Sequence, residues 1–282
     1  MISQQLNLFG YSGNIDTPKI NPLSPIVVSY GGGTNSTALL IAMWYKNITP
    51  SDIIFANTQA EMPETYDYIK MFNQWLIDNG MPSITIVKQN PSTDKKTGQQ
   101  YSSIEEKCLL HHELPSKAYG HSSCALKYKI EPMDRYVKAK YKDLLKQGVK
   151  IRRQIGYHAG EVRRVLKHGI HEDKTFIYEY PLIEWKLDQA NCNVLIQSVE
   201  LPIPPKSSCF FCPNRKPLEI LELQQKHPDL YRRGCDIENN AYMKQSSVKG
   251  LGRTFKWNDI GKLTPLELEI MSIENRQCQC IN

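Results

Sequence analysis

Three consecutive glycines, Gly31, Gly32 and Gly33, separate the β-branched run Ile26-Val27-Val28 from the apolar stretch Ala38-Leu39-Leu40-Ile41-Ala42-Met43-Trp44. The first run reads as a buried strand and the second as a helix. A strand, a glycine turn and a helix start together aim several backbone N–H groups and a helix N-terminus at one anion. Glycine lets the backbone approach a phosphate closely, and Ser29, Thr34, Ser36 and Thr37 surround the turn with hydroxyl donors. An ordinary strand-to-helix turn needs one glycine, so three in a row predict a phosphate loop that also holds Tyr30 and Asn35. No Gly-Lys-Ser/Thr closes the run, which excludes a Walker loop, and the glycines lack the spacing of dinucleotide folds.

A second chemistry lies far along the chain in Ser208-Cys209-Phe210-Phe211-Cys212-Pro213. A Cys-x-x-Cys pair with an aromatic interior and a following proline has the spacing of a metal knuckle, and a bare pair can instead be a dithiol. The chain has 8 cysteines, and without secretory features they point to metal or redox chemistry rather than structural disulfides. Cys108 and Cys192 sit in apolar surroundings and are expected to be buried fillers.

The elements that must position these residues follow in order. Residues 1–25 hold Gly10, Gly13, Pro18, Pro22 and Pro25 and read as an irregular lead-in. Ser51 to Thr58 is a second strand, and Tyr66, Ile69, Phe72, Trp75 and Leu76 form the apolar stripe of a helix that Pro63 and Glu64 open. Ile84 to Val87 is a third strand, residues 88–107 a polar loop, and His121 to Pro132 opens another helix carrying Cys124 and Lys127. Ile151 to Arg164 is again strand, turn and helix, with Arg163 and Arg164 suited to bidentate contacts with an anion. Leu201-Pro202-Ile203-Pro204-Pro205 is a stiff connector. Beyond it, Pro217 to Lys226 and Leu230 to Met243 read as helices.

Taken together, these stretches resemble the family containing phosphoadenosine phosphosulfate (PAPS) reductases and ATP pyrophosphatases. The phosphate loop is similar to that family's Ser-Gly-Gly-x-Asp-Ser, with Tyr30 inserted before the glycines and Asn35 where the family usually has Asp. Ala56 to Thr58 with Glu64-Thr65 resembles its adenine-recognising turn. Gly156, Glu161 and Arg164 resemble its second phosphate-side motif, with His158 where reductases that bind a 3′-phosphate usually carry Arg. Tyr180 to Trp185 resembles a packing element. The resemblance implies a doubly wound, mainly parallel α/β sheet of the adenine-nucleotide-α-hydrolase type with the nucleotide at the carboxyl ends of its strands. It implies either ATP cleavage at the α-phosphate, adenylating or thiolating a substrate, or binding of an adenylylsulfate for reduction; a nucleotide-binding regulator without turnover is the third reading. ATP and Mg²⁺ are the implied ligands. Asn35, Ser36, Lys127 and Arg164 take the implied catalytic roles, and Ser29, Tyr30, Gly31, Gly32, Gly33, Thr37, Thr58, Gly156 and Glu161 the nucleotide-binding ones. The separation of Cys124 from Cys209 and Cys212 is similar to that of the elements holding a 4Fe–4S cluster in adenylylsulfate reductases, with Cys235 or the tail pair Cys278 and Cys280 as further ligands. Cys209, Cys212, Cys278 and Cys280 could alternatively hold Zn²⁺.

A chain of 282 residues with 40% hydrophobic side chains can bury a full core. The expected organisation is an irregular segment over 1–25, a nucleotide-binding α/β domain over 26–200, and a small helical cysteine-containing region over 201–282. No apolar run of 18 residues and no charged-then-apolar leader is present, so a cytoplasmic protein without a membrane partner is expected. The net charge of +6 suits anionic partners, DNA or tRNA among them. Within the lead-in, Gln5, Leu6, Leu8 and Phe9 resemble, with Asn7 between them, the pentapeptide by which bacterial proteins dock on the DNA polymerase sliding clamp.

Overall fold

β2 (Asp52–Ala56) is buried along its whole length, as a strand must be when helices cover both faces of a parallel sheet. The computed structural model describes residues 20–168, 173–241, 248–264 and 266–267. Its main sheet joins β2 to β1 (Ile26–Tyr30), β3 (Ile84–Val87), β4 (Ile151–Ile155) and β5 (Phe176–Glu179) in the order β3-β2-β1-β4-β5. Every pairing is parallel. In the register of the central strand, Val28 lies opposite Ile53 on one side and Gln154 on the other. The chain winds outward from β1 to β3 and then returns to the far side of β1. The carboxyl ends of β1 and β4 therefore flank the switch point where such sheets bind ligands.

The α-helices of five residues or more among the described residues are α1 (Thr34–Tyr45), α2 (Pro63–Asp78), α3 (Ile104–His111), α4 (Glu131–Lys140), α5 (Lys142–Lys146), α6 (Val162–His168), α7 (Gln189–Gln197), α8 (Pro217–Lys226) and α9 (Pro228–Asn240). α1 is buried from Ser36 through Met43, because it is apolar almost all round. Leu39, Phe72, Leu76, Leu182 and Ile196 belong to the core on its side of the sheet. Val27, Ile54, Val137, Ile151 and Phe176 form the core on the other. The expected doubly wound parallel α/β architecture is the one observed.

Two compact units are distinguished. The first comprises the described part of Met1–Ala56 with Pro63–Val87 and Met133–Ser207, and contains the whole sheet. The second comprises Asn57–Met62, Lys88–Pro132 and the described part of Ser208–Asn282. It has its own core, in which Phe210, Phe211, Leu223, Ile237, Leu251 and Trp257 are nearly or wholly inaccessible. The polar stretch expected as a loop over 88–107 instead contains a small hairpin, Ser92–Thr93 with Gln100–Tyr101, and the start of α3. A reciprocal cap begins that helix. The Ser103 hydroxyl accepts from the Glu106 N–H at 3.1 Å, and the Glu106 carboxylate accepts from the Ser103 N–H at 3.0 Å. Among the described residues no helix is long and apolar enough to cross a membrane.

Candidate functional site at the sheet switch point

The glycine turn after β1 is held from within. Ser36 is buried, and its hydroxyl accepts from the Gly31 N–H at 3.1 Å and donates to the Gly33 carbonyl at 3.1 Å. The Ser207 hydroxyl donates to the Gly31 carbonyl at 2.6 Å. Gly32 takes φ +73°, and a Cβ there would sit 3.3 Å from both Thr65 and Ile69 of α2, so only glycine fits without strain. Gly33 caps α1 with no side-chain hydrogen bond, which leaves the first-turn N–H groups of the helix facing outward. Tyr30 and Thr37 turn the other way. Their side chains are 2% and 0% exposed, their hydroxyls lie 3.3 Å apart, and the Tyr30 ring stacks on Phe72 at 5.5 Å. Only their backbone can serve a ligand. Ser29 is half-buried within β1.

The second loop, after β4, closes on the first. A Cβ on Gly156 would lie 2.9 Å from the Asn35 carbonyl and the Ser36 N, so the two loops touch through backbone. Asn35 Nδ2 donates to Glu161 Oε2 at 2.9 Å. The same carboxylate accepts from the His158 N–H at 3.3 Å, and Arg164 Nη1 donates to Oε1. The Arg164 guanidinium also covers the Tyr157 ring at 4.3 Å, and Tyr157 stacks on Tyr180 at 5.6 Å. Asn35 Oδ1 is buried without a hydrogen-bond partner. Asn35, Ser36, Gly156, Glu161 and Arg164, expected from separate stretches, are thus assembled in one place. An uncapped helix start, glycine N–H groups and a guanidinium are groups of the kind that bind anions.

Thr58, Lys127, Cys124, Cys209 and Cys212 belong to the second unit. Lys127 Nζ lies 3.5 Å from the Tyr101 hydroxyl and 5.2 Å over its ring. Thr58 is 1% exposed and donates to Glu61 Oε1 at 3.2 Å. Lys129 Nζ donates to the same oxygen at 2.8 Å, and Cys209 Sγ donates to Thr58 Oγ1 at 3.7 Å. Cys209 and Cys212 occupy one tight turn, closed by the Cys212 N–H on the Cys209 carbonyl at 3.0 Å. The turn is fixed by the backbone bond from Phe210 to Ala60 at 2.7 Å. Burial pushes the Cys209 thiol up to about 12. Cys124 and Cys235 pack into the same apolar cluster. Among the described residues no group of three or more His, Cys, Asp or Glu side chains is placed to hold a metal ion. Of the expected set, Cys124 and Cys209 pack on the cluster that also holds Cys108, and Cys212 shares the turn with Cys209. Cys278 and Cys280 lie outside the described residues. Cys108 and Cys192 are buried at 2% and 0%, as expected of fillers.

Sequence reasoning passed over Ser207 and Glu61. Ser207 follows a proline connector, and no local pattern marks it as a strut for a loop that precedes it by 176 residues. Glu61 stands two residues before the helix-opening Pro63 with nothing local to mark it, yet it is 3% exposed and organises Thr58 and Lys129.

Comparison with known proteins matches the model of the phosphoadenosine phosphosulfate reductase domain to residues 25–205. No curated protein sequence matches. Among solved structures, the U34-tRNA thiolase NcsA from Methanococcus maripaludis, with its 4Fe–4S cluster, is 15% identical over 86% of this chain and 81% of that chain, at a TM-score of 0.37. The matched family span begins just before β1 and ends in the proline connector, so it contains the whole parallel sheet and both switch-point loops. The chain belongs to the phosphoadenosine phosphosulfate reductase domain family.

Proposed function

We propose that the chain binds ATP at the switch point and directs cleavage between its α- and β-phosphates, transferring adenylate to a nucleic acid or its precursor, from which a sulfide-level sulfur donor then displaces AMP. The observation that carries this reading is the junction of the two loops. Asn35 reaches Glu161 at 2.9 Å, and Gly156 abuts the first turn of α1, which supports a reading in which glycine N–H groups, a helix N-terminus and Arg164 serve one anion. An acceptor oxygen attacks the α-phosphorus, the bond to the bridging oxygen breaks, and pyrophosphate leaves with its charge. Fixed N–H donors of the loop and the Arg164 guanidinium stabilise that charge as it develops. The protein need supply no covalent nucleophile for this step. Asn35 Oδ1 and the Glu161 carboxylate are hard oxygen donors of the kind Mg²⁺ takes, and the unpartnered state of Asn35 Oδ1 fits such a ligand. A bound divalent ion would neutralise phosphate charge.

Calorimetric titration with ATP tests the binding. Gly32→Val and Ser36→Ala are expected to weaken it tenfold or more with the fold intact; unchanged affinity in both contradicts the site. The Cys209–Cys212 turn is the proposed place of a metal site. Elemental analysis of anaerobically purified protein tests whether Cys278 and Cys280 complete a site there. Iron or zinc that disappears on Cys278→Ser/Cys280→Ser supports it, and absence of both metals leaves a dithiol. The Gln5 to Phe9 peptide lies outside the described residues. As a clamp-docking element it would support capture on a bacterial sliding clamp that Leu8→Ala/Phe9→Ala abolishes.

A further inference from the structure

Gly31 is held at both of its backbone polar groups. Its N–H donates to the Ser36 hydroxyl at 3.1 Å, and its carbonyl accepts from the Ser207 hydroxyl at 2.6 Å. A peptide unit is planar and trans, so its carbonyl and its N–H point in opposite directions. Holding the Gly31 carbonyl towards Ser207 therefore turns the Gly32 N–H to the other side. Gly32 is buried, and among the described residues nothing accepts from its N–H. Buried N–H groups are nearly always paired, so this one calls for an acceptor from outside the chain.

That peptide has little of its own to fix it. Turning it over changes ψ of Gly31 and φ of Gly32, and with no Cβ on either residue both senses are sterically open. The Gly33 carbonyl, by contrast, is held locally, by the Ser36 hydroxyl and the Thr37 N–H, each at 3.1 Å. The orientation of the Gly31–Gly32 peptide thus depends on a residue 176 positions away. The segment carrying that residue is stiff where the loop is not. Pro202, Pro204 and Pro205 fix φ along the connector. Pro204 is buried, and the Leu201 N–H is tied to the Ile196 carbonyl in α7 at 3.3 Å. Ser207 also lies against the loop, its Cβ 3.7 Å from where a side chain on Gly33 would begin.

We propose that Ser207 is a positioning residue of the nucleotide site, which sets the orientation of the Gly31–Gly32 peptide and so aims the Gly32 N–H at the phosphates. This deepens the function proposed above and rests on that reading for the identity of the anion. The test reads the peptide itself before any nucleotide is added. Gly32 and Gly33 are the only glycines of the chain that follow a glycine. Full-length protein made by cell-free synthesis, with glycine isotopically labelled at both its carbonyl carbon and its amide nitrogen, therefore shows just these two N–H groups in a carbonyl-filtered spectrum. In the native chain both signals should be single and sharp. Ser207→Ala deletes the hydroxyl and should double or broaden the Gly32 signal. It should also weaken ATP binding in calorimetry about tenfold, the order of one hydrogen bond to a charged group. Ser207→Thr keeps the hydroxyl and should rescue both the single signal and the affinity. A residue that only packs would lower the melting temperature on Ser207→Ala and leave the two signals single. Unchanged signals in Ser207→Ala overturn the proposal, and so does a changed signal with unaltered ATP affinity. If the Ser207→Ala signal doubles while the native chain binds no ATP, the strut stands and the nucleotide reading falls.

Discussion

Asn35 decides how Glu161 is held. As an amide it donates to a carboxylate 2.9 Å away; an aspartate would set two carboxylates against each other, and both cannot ionise there without cost. Asn35→Asp is therefore expected to weaken ATP binding about tenfold in the absence of divalent ions, a change of about 1.4 kcal/mol. Mg²⁺ should restore most of it, because a cation between two carboxylates removes their repulsion. Titrations with and without Mg²⁺ check this, and equal affinity without Mg²⁺ would show that Glu161 is held some other way. The glycines make a rank order. Alanine at Gly156 meets backbone at 2.9 Å, whereas alanine at Gly33 meets Ser207 at an ordinary 3.7 Å. Gly156→Ala should cost about 1–3 kcal/mol in urea unfolding and Gly33→Ala much less; the reverse order would contradict the loop contact.

At the scale of elements, α3 offers a pH test. N–H groups of Ser102 and Ser103 hold the Glu106 carboxyl below the usual carboxylate range. A depressed folded value stabilises above the unfolded value of about 4.3 and is lost as pH falls through the folded one. Glu106→Gln should therefore destabilise at pH 7 by about 0.5 kcal/mol, a low figure because the side chain is exposed. The difference should shrink towards pH 3, and a difference that persists there would assign the effect to packing. What was legible in the sequence was local. The β1–glycine–α1 run declares itself because strand, turn and helix signals are contiguous. The Ser103–Glu106 cap was equally local but was hidden in a stretch whose polarity reads as loop. The Asn35–Glu161 contact spans 126 residues and depends on β4 pairing beside β1, which no periodicity reveals. The Cys209–Cys212 pair was legible as a turn, but the bond from Cys209 to Thr58 joins segments 151 residues apart.

For the molecule as a whole, the parallel sheet presents two loops at one switch point and anchors α4 through the bonds of Tyr136 and Lys140 to Asp52 at the amino end of β2. The second unit gathers Asn57–Met62 and Lys88–Pro132 with residues after Ser207, an interleaving to which uniform composition gives no clue. Within it, the buried Glu61 is held by Lys129 at 2.8 Å. Lys129→Met should destabilise by about 3 kcal/mol through the carboxylate left uncompensated, and Glu61→Gln/Lys129→Met should recover part of that loss in thermal unfolding. No recovery in the double variant would mean that the two groups act independently. The central claim concerns which phosphate bond breaks. The chain is incubated with Mg²⁺ and ATP labelled at the α-phosphorus, in the presence of duplex DNA or transfer RNA, and the products are separated. The account predicts labelled AMP or labelled nucleic acid together with pyrophosphate, lost in Gly32→Val and reduced in Arg164→Ala; labelled ADP with inorganic phosphate, or products that persist in Gly32→Val, would contradict it.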